Sequence, residues 1–195
     1  MRSSGVDREA ELALVRRVQA GEEAAFDAIY AAFNARLFGF LARLTRRPEI
    51  AEELLEETWL RFVRHAGRLE ADTHIGAWLF TVARNLHVSY CRTHALDSAV
   101  VGGLSLWPER AMESPFETTA RNEFEQRLET ELSGLPVTLR EALLLVAIEG
   151  MTPSEAAIVC GTTAEAMRQR LRRARTLLAG RLGHPLIGLR LRAGA

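Results

Sequence analysis

Lysine is missing from this 195-residue chain, so all 25 of its Lys-plus-Arg positions are arginine. A basic surface made only of guanidinium groups suits fixed, forked contacts to phosphate. Cysteine is nearly missing as well. Cys91 and Cys160 are the only two, they match no disulfide framework, and a reducing cytosol is the expectation. No stretch approaches about eighteen uninterrupted apolar residues, so no membrane span or insertion is expected. Met1-Arg2-Ser3-Ser4 is not followed by an apolar signal core, which argues against export. The chain also lacks a glycine-rich phosphate loop, a serine-elbow string and a paired metal-ligand motif. The expectation is a soluble, cytoplasmic protein that is not an enzyme and needs no cofactor.

What is present is a globular composition, 48% apolar and 26% charged, with a formal net charge of zero. The zero is a sum of unequal parts. Residues 1–92 carry thirteen Arg against thirteen Asp or Glu, residues 93–135 three against eight, and residues 136–195 nine against four. A basic surface is therefore hidden inside a neutral total, which points to a nucleic-acid partner.

Apolar residues recur at helical spacing almost throughout, and strand-like alternation is nearly absent. Leu12, Val15 and Val18 predict a first short helix ending near Gly21. A second starts at Glu22 and carries Phe26, Ile29, Tyr30, Phe33, Leu37, Phe40, Leu41 and Leu44. A third starts at Pro48, where proline is tolerated, and runs to about His65 with Leu54, Leu55, Thr58, Trp59 and Phe62 inward. After a loop, a fourth runs from about Ile75 to His94 and buries Trp78, Leu79, Val82, Leu86 and Tyr90. The stretch 95–119 holds Gly102, Gly103, Pro108, Pro115 and no sustained period, so it reads as a linker. Helical pattern returns at 120–133, at 136–149, and in two short helices beyond. The expected fold class is all-α: two small helical domains, 1–95 and 119–182, joined by a flexible linker at 96–118 and followed by a basic tail at 183–195.

The segment Met151 to Arg175 has helix-turn-helix grammar. Thr152 with Glu155 forms a capping box, Ala156, Ala157 and Val159 make a close-packing inner face, and Gly161 supplies the turn. Thr162 or Thr163 caps the second helix, whose Met167, Leu171, Ala174 and Leu178 face inward. Arg168, Gln169, Arg172, Arg173 and Arg175 occupy the other side, with Arg170 nearer the seam. Five arginines in eight residues, with no carboxylate among them, repel one another along a helix. Such a face fits a DNA major groove, base edges near its start and phosphates later.

This helix-turn-helix resembles the fourth conserved region of bacterial RNA polymerase sigma factors, through Glu155-Ala-Ala and Arg170-Leu-Arg-Arg-Ala-Arg175. Thr163, Glu165, Ala166 and Gln169 depart from the Pro, Gly, Thr and Ser that relatives often carry. Two further strings, in the family's order, resemble region two. Ala51-Glu-Glu-Leu-Leu-Glu-Glu-Thr-Trp-Leu-Arg61 is similar to its polymerase-binding helix, and Ile75-Gly-Ala-Trp-Leu-Phe-Thr-Val-Ala-Arg-Asn85 to its promoter-opening helix. With no intervening third region, the chain is similar to the extracytoplasmic-function group of the sigma-seventy family.

The resemblance implies a factor that binds core polymerase and directs it to promoters. Region two would dock on the β′ clamp helices and region four near the β flap. Glu53, Glu56 and Glu57, beside apolar edges at Leu54 and Leu60, are the expected polymerase surface. Arg68, His74, Arg84, Asn85 and Ser89 are the expected −10 contacts, Asn85 for a base edge and Arg84 for phosphate. Gly76 and Ser89 stand where relatives commonly carry Arg and Asp. The −35 element would be read by Arg168, Gln169, Arg170, Arg172, Arg173 and Arg175. The resemblance also implies an anti-sigma factor as inhibitor.

Other readings are weaker. A dimeric helix-turn-helix regulator that never joins polymerase, or a helical adaptor, would have no use for the acidic helix followed by the Trp78-to-Asn85 string. His87, Cys91 and His94 share one helix face at i, i+4 and i+7, and His74 could approach it. That spacing could take a transition metal. Single-helix clusters of this kind are usually incidental, so no metal is expected. Cys160 is expected to pack in the small-residue seam.

Overall fold

Chain punctuation decides where each helix stops in the computed structural model, which describes residues 6–100 and 123–182. Helix α1, Val6–Gln19, ends just before Gly21, whose φ of 77° suits glycine. Helix α2, Glu23–Thr45, ends at Arg46, a left-handed residue whose N–H returns to the Ala42 carbonyl at 2.9 Å. Thr45 clamps the corner, its hydroxyl donating to the Arg47 carbonyl and accepting from the Arg47 N–H. Extended Arg47 then precedes Pro48, which opens α3, Pro48–His65, as expected.

A short 3-10 turn, Ala66–Arg68, leads through the loop to α4, Ile75–Val100. The helix therefore continues past the expected end at His94, and residues 96–100 are helical rather than linker. The rest of the expected linker and the tail at 183–195 lie outside the described residues.

Helices α2, α3 and α4 enclose an aromatic core. Phe40 and Phe80 meet edge to face at 5.2 Å, and Phe62 packs between Phe26, Trp59 and Trp78. Trp59 also needs a polar partner, and its indole N–H donates to Asn34 Oδ1 at 2.9 Å.

The second bundle comprises α5 (Glu123–Ser133), α6 (Val137–Leu143), α7 (Pro153–Val159) and α8 (Ala164–Leu182). A π-type turn, Leu144–Ile148, extends α6. The expected capping box at Thr152 and Glu155 is complete, Gly161 takes φ 59°, and Thr163 Oγ1 caps α8 by accepting from the Ala166 N–H. Met167, Leu171, Ala174 and Leu178 are buried. Among the described residues there is no strand, and no helix is long and apolar enough to cross a membrane.

Candidate nucleic-acid interface

Burying Met167, Leu171, Ala174 and Leu178 turns the opposite side of α8 outward by its own periodicity. Arg168, Gln169, Arg172, Arg173 and Arg175 are all exposed there. Arg168 is not without a carboxylate: its Nε and Nη2 both reach Glu165 Oε2, at 3.1 and 2.9 Å. Arg170, expected nearer the seam and counted among the −35 contacts, is turned inward. It is half-buried, one terminal nitrogen is fully enclosed without a hydrogen-bond partner, and its charge acts on Glu141. It belongs to the inner side of the helix-turn-helix.

The expected −10 residues are dispersed differently. Asn85 and Ser89 lie exposed on α4, and Arg68 is exposed on the 3-10 turn. His74 is also exposed, with Nδ1 3.3 Å from Glu11 Oε2 of α1. Arg84 is mostly covered, because it pairs with Glu141 of α6 at 3.1 Å. At Gly76 a Cβ would lie 3.1 Å from Phe33 Cε1, so a side chain there needs that ring to give by a few tenths of an ångström.

On α3 the acidic surface is present, and of the two expected apolar edges Leu60 is exposed and Leu54 is not. Glu53 and Glu56 are exposed, while Glu57 holds Arg61 at 2.9 Å. Leu54 is buried, at 8% exposure, because it points into the core with Thr58 and Phe62. Leu60 and the overlooked Val63 are the exposed apolar pair, at 50% and 57%. Spacing alone could have found Val63, since 53, 56, 60 and 63 fall on one helical stripe.

Periodicity gave no sign of the seam between the bundles. Three arginines of the N-terminal bundle each meet a carboxylate of the C-terminal one: Arg36–Glu149 at 2.8 Å, Arg43–Glu129 at 2.8 Å and Arg84–Glu141 at 3.1 Å. Arg140, 4% exposed, completes the joint. It donates to the carbonyls of Leu132, Ser133 and Leu135 at the end of α5, and to those of Arg43 and Leu44 at the end of α2. A buried guanidinium thus satisfies the unpaired carbonyls of two helix ends at once, where a cation also suits both dipoles. Burial, with Arg46 nearby, brings its pKa down to about 10, so it remains charged at neutral pH.

Burial likewise pushes the carboxyls of Glu141 and Glu149 up, opposed by Arg84 and Arg170 at the first and by Arg36 and Arg43 at the second. His87 borders the same joint. Burial, Arg140 and Arg84 lower its pKa to about 4, so it is neutral at pH 7. Its Nε2 lies 3.4 Å from Cys91 Sγ, while the His94 ring is tilted against Tyr90 with the centroids 4.2 Å apart. Among the described residues no three His, Cys, Asp or Glu side chains gather where they could hold an ion. Cys160 is buried, and that burial pushes its thiol to about 11, which makes it packing rather than a reactive thiolate.

Comparison with known proteins agrees with the two-bundle division. The Sigma-70 region 2 family matches residues 29–96, and the Sigma-70 region 4 family matches residues 125–178. The ECF RNA polymerase sigma factor EcfG of Rhodopseudomonas palustris is 32% identical over 146 residues, covering 75% of this chain and 78% of that protein. SigM of Bacillus subtilis is 30% identical over 154 residues, covering 78% and 91%. Among solved structures, the sigma factor RpoE of Bartonella quintana, crystallised with the anti-sigma factor NepR, shows 26% identity and a TM-score of 0.66 over 81% of this chain and 96% of that one. With both conserved regions in order on the bundles described, the chain belongs to the extracytoplasmic-function group of the sigma-70 family of RNA polymerase sigma factors.

Proposed function

We propose that this chain joins core RNA polymerase and directs it to promoters by a division of labour between its two bundles. Region 2 docks through the α3 stripe of Glu53, Glu56, Leu60 and Val63, and α4 with its preceding loop engages the −10 element. Region 4 reads the −35 element through α8. The carrying observation is the outer face of α8, where Arg168, Gln169, Arg172, Arg173 and Arg175 lie exposed beside a helix capped and turned as a helix-turn-helix. The chain itself is not the catalyst; the nucleotidyl chemistry is the polymerase's. Its place of work is the cytoplasm, where polymerase meets the chromosome.

The anti-sigma factor crystallised with the Bartonella quintana relative supports a protein inhibitor of that class for this chain. Run-off transcription from a genomic-fragment library, with core polymerase plus or minus this protein, tests the reading. A discrete set of new start sites is expected. Transcription unchanged by the protein would refute it.

A further inference from the structure

Helix α1 grips the loop ahead of α4 at both of its ends. Glu11, Val15, Val18 and Gln19 fall at i, i+4, i+7 and i+8, one stripe of that helix. Val15 and Val18 are buried in the middle of the stripe, and its two ends are polar. Gln19 donates from Nε2 to the Leu69 carbonyl, where the loop begins. Glu11 closes the far end with a single carboxylate. Its Oε2 lies 3.3 Å from His74 Nδ1, and its Oε1 accepts from the Gly76 N–H at 3.4 Å. Eight residues of helix set the two grips about 12 Å apart, so α1 is a bar of fixed length across the loop.

Leu69 and Ile75, 8% and 1% exposed, sink the ends of the loop into the core. Between them the Thr73 N–H donates to the Glu70 carbonyl at 3.0 Å and turns the chain. Glu70, Ala71, Asp72 and His74 are left facing outward. The same carboxylate also serves α4. Gly76 lies in the first turn, where N–H groups have no partner within the helix and a negative charge suits the dipole. The His74 carbonyl accepts the Trp78 N–H at 2.9 Å and so opens α4, yet histidine is not among the residues that cap well. Glu11 supplies a cap from another helix.

We infer that Glu11 and Gln19 are positioning residues for the −10 element: they set the shape in which residues 70–74 meet an unstacked base. The inference rests on the promoter-binding reading and adds to it α1, which that reading leaves idle. Held at both ends, the loop loses little ordering entropy when a base enters. Its side chains keep one arrangement, against which right and wrong bases are distinguished. Neither Glu11 nor Gln19 needs to touch DNA.

The test uses the full chain, core polymerase and the promoter fragments recovered by run-off transcription. Each fragment is also made with single-base changes at the upstream edge of the opened segment. Permanganate oxidation of unpaired thymines reads opening, and discrimination is the ratio of opening on the original fragment to opening on the altered one. Glu11→Ala/Gln19→Ala is expected to lower that ratio ~10-fold, two hydrogen bonds' worth, with capture by core polymerase as in wild type. Glu11→Gln keeps an oxygen to accept from the Gly76 N–H and should restore most of what Glu11→Ala loses. Should the double variant not fold, Glu11→Ala and Gln19→Ala singly should each lower the ratio ~3-fold.

An equal fall on original and altered fragments is what a general loss of stability would give, and it would overturn the inference. So would an unchanged ratio, a parallel loss of capture, or Glu11→Gln no better than Glu11→Ala. A library that yields no start sites sinks the promoter-directing function itself. Start sites whose discrimination ignores both substitutions sink only the role of α1.

Discussion

Arg84 of α4 donates its Nε hydrogen to Oε1 of Glu141 in α6 at 3.1 Å, joining the two regions at a carboxylate only 1% exposed. The residue expected to hold −10 phosphate is thus held by region 4 in the free chain. Glu141 also faces Arg170, whose enclosed nitrogen has no hydrogen-bond partner. Glu141→Ala leaves both guanidinium groups without their counter-charge. A loss of about 3 kcal/mol in urea-unfolding free energy is expected. A loss below about 1 kcal/mol would place the pair among solvated surface bridges.

Acid should weaken the fold through His87. Its pKa drops from 6.5 unfolded to about 4 folded, so between those values the unfolded chain binds the extra proton. Stability therefore falls as pH drops from about 6.5 to about 4, by up to about 3 kcal/mol. Glu141 and Glu149, raised by burial, act with the opposite sign and lose stability as pH rises through their shifted range. Urea titrations across this window should show His87→Gln flattening the acid limb. A limb unchanged by that substitution would assign it elsewhere.

Gly76 sits against the Phe33 ring, where a side chain has little room. With Phe33 Cε1 3.1 Å from the place of a Cβ, Gly76→Arg should cost about 1–3 kcal/mol as an overpacked site. Thermal unfolding of Gly76→Arg against Gly76→Arg/Phe33→Leu checks this. The second change should restore much of the loss.

On α8, Arg172→Glu is expected to abolish promoter binding while leaving capture by polymerase intact, because Arg172 is exposed and touches neither core nor seam. Gel shift of the holoenzyme and a parallel pull-down read the two separately. Equal loss of both would contradict the division of labour.

How much was legible in the sequence differs from helix to helix. Pro48 to His65 was bounded correctly because proline at the first turn and a 3.6-residue period agree. The capping box at Thr152 and the turn at Gly161 were readable for the same reason: local chemistry fixes them. Leu54 was read both as inward and as an apolar edge alongside Leu60; six residues on a helix turn the two to different faces, so only Leu60 reaches solvent. The seam was hidden for a deeper reason. Arg140 and Glu141 look like surface residues of a short helix, and only tertiary partners make such charges tolerable inside. Arg170 was placed nearer the seam yet counted among the −35 contacts, and its enclosed nitrogen shows that it turns inward.

The most direct measurement is capture of the purified protein by bacterial core polymerase, comparing wild type with Glu53→Arg/Glu56→Arg/Leu60→Asp. These side chains are exposed, so the variant should fold as wild type does. Saturable binding by wild type, weakened at least about tenfold in the variant, is the predicted result; a tenfold loss corresponds to about 1.4 kcal/mol. Absence of binding by wild type, or equal binding by both, would contradict the assignment of α3 as the polymerase-docking helix.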